Sequence, residues 1–168
     1  MKRGILYLLI FLLAVLLESS LLAGWSSAGI PALLVPLLVS LALWEEDRVF
    51  VLVPAATAGF LQDLVCSYPL GFHFLAYLLC TQLLFSLRRL FFAKGFVVWL
   101  LSVFLFDLTS QLIVTVLFLV FGGSLTGSVF ALRLLWHLLY TLLWAVPLYP
   151  LCRLLRIRRP SERFTVLE

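Results

Sequence analysis

Apolar residues run almost without interruption along this chain, in blocks separated by short clusters of charged, Gly, Pro and Ser residues. Cutting at those clusters leaves six apolar spans: Gly4–Ala23, Ala28–Trp44, Val49–Val65, Leu70–Leu87, Gly95–Phe121 and Val129–Leu151. A helix needs roughly 17–25 mostly apolar residues to cross a bilayer, so the second and third spans sit at the short limit and the fifth is long enough to tilt. No block alternates with period two, which argues against the strands of a transmembrane barrel. The pattern predicts an all-α integral membrane protein with six transmembrane helices in a single domain, residues 1–168, with no room for a soluble domain. Composition agrees: 64% of the 168 residues are hydrophobic and 12% charged, against about 45–50% and 25% in soluble domains. With 9 Gly, 7 Pro and 3 Cys, collagenous and disulfide-scaffold classes are excluded as well.

Lys2 and Arg3 before the first span resemble the start of a signal peptide, but Glu18 interrupts the apolar run and no A-x-A site follows, so a retained helix is expected. Orientation follows from the basic residues outside the spans. Lys2, Arg3, Arg48, Arg88, Arg89, Lys94, Arg153, Arg156, Arg158, Arg159 and Arg163 all fall on one side of a six-span chain. The opposite connections, around Gly24–Ser27, Cys66–Pro69 and Gly122–Ser128, carry none. The positive-inside rule then places both termini, with a basic tail over 152–168, in the cytoplasm. A net charge of +4 is accordingly a membrane signature and not a nucleic-acid one. Arg88, Arg89, Lys94, Arg153, Arg156, Arg158 and Arg159 are expected to contact anionic lipid headgroups, with Phe91, Phe92 and Phe96 at the interface.

Ionisable residues inside the spans are the informative ones, because each costs at least about 2.5–3.5 kcal/mol in hydrocarbon unless paired or wetted. They are Glu18, Asp63, Asp107 and Arg133, with His137 as a fifth. Glu18, Asp63 and Arg133 fall within roughly 3–8 Å of the outer ends of their helices at 1.5 Å per residue, and Asp107 and His137 lie nearer the midplane. Arg133 is the one cation at that depth, so it is expected to pair with Glu18 or Asp63. Asp107, Ser110, Gln111 and Thr115 share a face of the fifth helix; Arg133, Trp136, His137, Tyr140, Thr141 and Trp144 share one on the sixth. Ala55, Gly59 and Asp63, four residues apart on the third, form a small-residue face that permits close helix approach. Two readings stay open for the cluster Glu18, Asp63, Asp107, Gln111, Arg133 and His137: interhelical glue, or a pocket for a ligand or partner helix.

Catalytic residues are not expected. The chain has two histidines, His73 and His137, and no H-E-x-x-H, G-x-S-x-G or Gly-rich phosphate loop. Gly122, Gly123 and Ser124 fit a flexible outer turn. Cys66, Cys80 and Cys152 lack C-x-x-C spacing and are taken as small apolar residues, so neither a metal site nor a cofactor is expected.

The stretch Gly59-Phe-Leu-Gln-Asp63-Leu-Val-Cys-Ser-Tyr-Pro69-Leu-Gly71 resembles the most recognisable segment of the MreD family of bacterial rod shape-determining membrane proteins. In that family a small residue and an Asp close the third helix, and a Pro-Leu-Gly turn opens the fourth. The resemblance carries onto Gly59, Asp63, Pro69 and Gly71 and onto no catalytic residue, and it extends to chain length, six-helix topology and basic tail. Pro69 and Gly71 suit a tight reversal, and Asp63 beneath it can accept backbone N–H groups from the start of the fourth helix. A partner-binding role for Asp63 is the alternative.

The resemblance implies a non-enzymatic scaffold of the elongation machinery in the bacterial cytoplasmic (inner) membrane, supporting side-wall peptidoglycan synthesis and rod shape. Its implied partners are MreC and, through it, the RodA glycosyltransferase, a class B penicillin-binding protein and MreB filaments. It also implies a helix arrangement similar to the substrate-binding S components of energy-coupling-factor transporters. The alternative function is therefore a substrate-binding membrane subunit of a vitamin-type transporter that uses the charged cluster, with a lipid-modifying or lipid-flipping enzyme third.

Overall fold

The computed structural model describes residues 2–18, 32–45, 47–65, 69–87, 95–122 and 127–157, with side chains placed for 9–18, 32–45, 47–64, 69–87, 95–122 and 131–153. Six helices make up the fold: α1 (Lys2–Leu17), α2 (Leu34–Trp44), α3 (Arg48–Val65), α4 (Phe72–Leu87), α5 (Phe96–Val120) and α6 (Gly127–Ile157). The basic residues Arg88, Arg89, Lys94, Arg158, Arg159 and Arg163, as well as Cys66, lie outside the described residues, and the side chains of Lys2, Arg3 and Arg156 are likewise outside them.

The helices are not equivalent. α2 contacts all five others, while α1, α3, α4, α5 and α6 touch in that order around it. The sequence explains why α2 takes the centre. It has apolar residues on every side, which marks a helix buried all round, and Leu34 through Ala42 are all buried. At 11 residues it is only about 16 Å long. Pro36 stands in its first turn, where its missing N–H has no intrahelical partner to lose.

The peripheral helices bury one stripe and expose the other. Trp99, Ser102, Val103, Phe106, Asp107, Ser110 and Val114 form the inward face of α5. On the outside, Leu13, Val97, Val120 and Leu143 are 59%, 75%, 74% and 66% exposed. A continuous apolar exterior of this kind is unsuited to water. Two helical segments, Phe96–Val120 and Ala131–Arg153, are long and apolar enough to cross a membrane; α2 and α4 are shorter apolar helices. α6 continues past Leu151 to Ile157, so Arg153 and Arg156 stand on helix and not in an extended tail. Pro54 in α3 and Pro147 and Pro150 in α6 are accommodated inside helices, as neighbouring helices and hydroxyls allow in apolar surroundings; Thr57 donates to the Pro54 carbonyl at 2.9 Å.

Polar cross-links fix the packing at the far end from the α3–α4 turn. Trp99 Nε1 donates to Ser40 Oγ at 2.9 Å, tying α5 to the central helix, and Ser40 in turn donates to the Pro36 carbonyl at 2.7 Å. Trp99 and Phe96 pack with Tyr149 of α6, ring centroids 5.1 and 4.9 Å apart.

Candidate functional site

The α3–α4 reversal is built around Asp63. Its carboxylate accepts the backbone N–H groups of Gly71 at 2.8 Å, His73 at 2.9 Å and Phe74 at 3.1 Å, and pairs with His73 Nδ1 at 2.9 Å. Since α4 begins at Phe72, these are the N–H groups that the start of a helix leaves unsatisfied. Asp63 therefore caps α4 from the end of α3, doing from eight residues upstream what a capping residue does locally, with the negative charge at the positive end of the helix dipole. Gly71 supports the geometry with φ +106°, a conformation that favours glycine. One turn below Asp63, a Cβ on Gly59 would lie 2.6 Å from Phe74 Cα and 2.7 Å from the His73 carbonyl oxygen. The small-residue face of α3 thus meets the α4 backbone directly.

A second polar group lies in the interior between α1, α2, α5 and α6. His137 Nε2 is 3.0 Å from Gln111 Nε2 and 3.3 Å from Asp107 Oδ1. Asp107 is fully buried and Glu18 is 3% exposed. Glu18 Oε1 accepts the Leu33 N–H at 3.2 Å, and Thr141 Oγ1 accepts the Ala32 N–H at 3.2 Å. The start of the central helix is thereby capped by side chains from α1 and α6. Three buried oxygens, Glu18 Oε2, Thr81 Oγ1 and Asp107 Oδ2, have no hydrogen-bond partner among the described residues.

The expected cluster is therefore divided. Asp107, Gln111 and His137 come together, Glu18 binds the Leu33 N–H at the start of α2, and Asp63 forms a separate pair with His73. Arg133 joins neither, which corrects the expected pairing with Glu18 or Asp63. It is exposed, as are its neighbours Ala131 and Leu132. The reason is angular: α6 turns Leu138, Thr141 and Ala145 toward the bundle, and Arg133 lies off that face. Asp63, meanwhile, already has four hydrogen bonds from the turn and α4.

His73 and Thr81 are the site residues that sequence patterning missed, while Thr141 stood on the polar stripe of the sixth helix. His73 had a usable signal: in a tight reversal closed by Pro69 and Gly71, the second residue of α4 must face the last turn of α3. Thr81 carried only a weak one, as an isolated hydroxyl in an apolar helix. Among the described residues no group of three or more His, Cys, Asp or Glu is arranged to hold a metal. Pro69 is exposed at the head of the turn, and Arg153 is exposed near the end of α6.

The carboxylate-capped reversal, with glycine packed on the next helix beneath it, is the structural form of the segment that carries the family resemblance. No curated protein and no solved structure matches the chain. A family model described as rod shape-determining protein MreD matches residues 2–158, a stretch that takes in all six helices; the chain belongs to the MreD family.

Proposed function

We propose that this chain is a non-enzymatic scaffold subunit of the bacterial elongation complex, crossing the cytoplasmic membrane six times with both termini inside. In this reading it holds MreC and, through it, RodA, a class B penicillin-binding protein and MreB, and so supports side-wall peptidoglycan synthesis. The family match over residues 2–158 is the observation that carries the proposal. The physical character of the molecule supports it. The bundle has an apolar exterior, and its interior polar groups mostly cap helices and join them, the roles of architecture. Asp63 serves the turn, Gly59 sets the α3–α4 distance, and Glu18, Gln111 and His137 link α1, α2, α5 and α6. Basic residues from Arg48, Arg88, Arg89, Lys94 and Arg153 onward would lie at the anionic cytoplasmic leaflet. The helix order around α2 would be similar to that of energy-coupling-factor S components.

Co-purification tests this directly. Tagged protein extracted in mild detergent is expected to retain MreC while an unrelated single-span protein washes away. Loss of MreC under conditions that preserve another known membrane complex would overturn the reading. A transporter subunit is the second reading, favoured by the buried oxygens of Glu18, Thr81 and Asp107 that have no partner among the described residues. It requires a stoichiometric small polar molecule and ATPase subunits in the same native extract.

A further inference from the structure

Arg133 poses an electrostatic problem that none of the described residues solves. It stands six residues inside α6, roughly 9 Å from the helix start, in the segment Ala131–Arg153 that is apolar and long enough to cross a membrane. Its side chain is exposed, and Leu132, Leu135, Leu139 and Leu143 nearby are 58%, 55%, 49% and 66% exposed. An arginine facing hydrocarbon needs an anion.

Five of the chain's eight acidic residues are among the described residues. Asp63 is saturated by the α3–α4 turn. Asp107 and Glu18 are sealed in the interior, the first on His137 and the second on the Leu33 N–H. Glu45 and Asp47 stand between α2 and α3, at the opposite end of α3 from Asp63. The Gln111–His137 contact sets an antiparallel register that places Thr115 opposite Arg133, and the Thr115 hydroxyl is given to the Gln111 carbonyl at 2.7 Å. Among the described residues, none supplies a counter-anion to Arg133.

We propose that Arg133 binds the phosphate of an acidic phospholipid, whose acyl chains lie along the exposed strip of Trp136, Leu139 and Leu143. The proposal rests on the reading that α6 crosses the membrane. Two features favour a lipid over a partner helix. Arg133 is close enough to the helix start for its side chain to reach headgroup level. The strip beyond it carries bulky Leu, where helix–helix contacts in membranes favour small residues. Arginine also suits phosphate, since its planar guanidinium can donate two parallel hydrogen bonds. This site is at the opposite end of the bundle from the basic cytoplasmic residues, and so is distinct from their general attraction to the inner leaflet.

Native mass spectrometry of the detergent-purified full chain, titrated with phosphatidylglycerol or chain-matched phosphatidylcholine, tests the proposal. Arg133→Gln is expected to weaken phosphatidylglycerol retention about fivefold to tenfold, the loss of one charge-assisted contact, and to leave phosphatidylcholine unchanged; Arg133→Lys should recover part of the loss. On the unmutated protein, phosphatidylglycerol with a photoactivatable acyl chain is expected to label residues 132–143 more than the phosphatidylcholine probe does. Equal retention in Arg133→Gln, or equal labelling by both probes, would overturn the proposal. So would loss of a co-purifying single-span protein from Arg133→Gln with lipid retention intact, which would assign the face to a partner helix. Failure to retain MreC in the unmutated protein bears on the scaffold reading alone, because both lipid readouts are made without it.

Discussion

Replacing Asp63 separates a structural carboxylate from one kept for a partner. Asp63→Ala removes one acceptor group and strands four donors: the N–H groups of Gly71, His73 and Phe74 and the His73 ring. Losing an N-cap costs about 0.5–2 kcal/mol, and leaving the buried His73 ring donor unsatisfied costs about 1–3 kcal/mol. His73 is 5% exposed, so water can restore only part of the loss. The expected destabilisation is about 3 kcal/mol, within the sum of those ranges, because the outer N–H groups of Gly71 and Phe74 are less deeply buried. For a chain of this size that is a fall of about 6–12 °C in the unfolding midpoint, at 2–4 °C per kcal/mol. Asp63→Asn keeps one acceptor oxygen and turns an amide NH2 toward other donors, so it should fall between wild type and Ala. Size-exclusion chromatography of heated, detergent-solubilised protein gives the midpoints. Wild-type midpoints for both variants, combined with loss of rod shape in complemented cells, would refute the capping argument and reassign Asp63 to partner binding.

Gly59→Ala is expected to destabilise by about 1–3 kcal/mol, since the added methyl would overlap the α4 backbone; a midpoint raised by the better helix propensity of Ala would show that the helices are not in contact there. Glu18→Gln keeps an acceptor for the Leu33 N–H and replaces the buried carboxyl with a neutral isostere, so its thermal stability should equal or exceed wild type, whereas Glu18→Leu should lose about 1–3 kcal/mol. Equal losses in the two would show that the carboxyl itself is required. Ser40→Ala should cost more than Trp99→Phe, because only the first strands the indole N–H; a double-mutant cycle with no coupling would remove this hydrogen bond from the account.

The helical plan was readable because its signals are redundant. Each span is apolar for most of its length, and turn-forming or charged residues mark its ends, so shifting a boundary by two residues changes little. Leu34–Ala42 has no polar face, which in a water-soluble bundle would mean burial on all sides. That inference fails in a membrane-type composition, where lipid and protein are equally apolar and hydrophobicity no longer distinguishes inside from outside. Polar residues carry the directional information instead. Asp107 and Gln111 on α5 lie within hydrogen-bonding distance of His137 on α6, and each shares a helix face with other polar groups.

Arg133 shows where such grouping stops. It is one turn from His137 and shares its stripe, yet a four-residue step advances the helix about 6 Å and rotates it by about 40°, enough near a helix end to pass from a contact face to an open one. Opposite charge in the sequence suggested a partner, but charge alone carries no angular information, and Asp63 was already committed to N–H groups of its own turn. Backbone donors at a helix start are invisible in a list of charged residues, although they compete for carboxylates as strongly as an arginine does. Counting them first would have left Arg133 without an internal anion from the sequence alone, since Asp63 and Glu18 both lie at helix junctions with N–H groups to satisfy. In apolar bundles, acidic residues near a turn should therefore be assigned to the following helix before they are assigned to a distant cation.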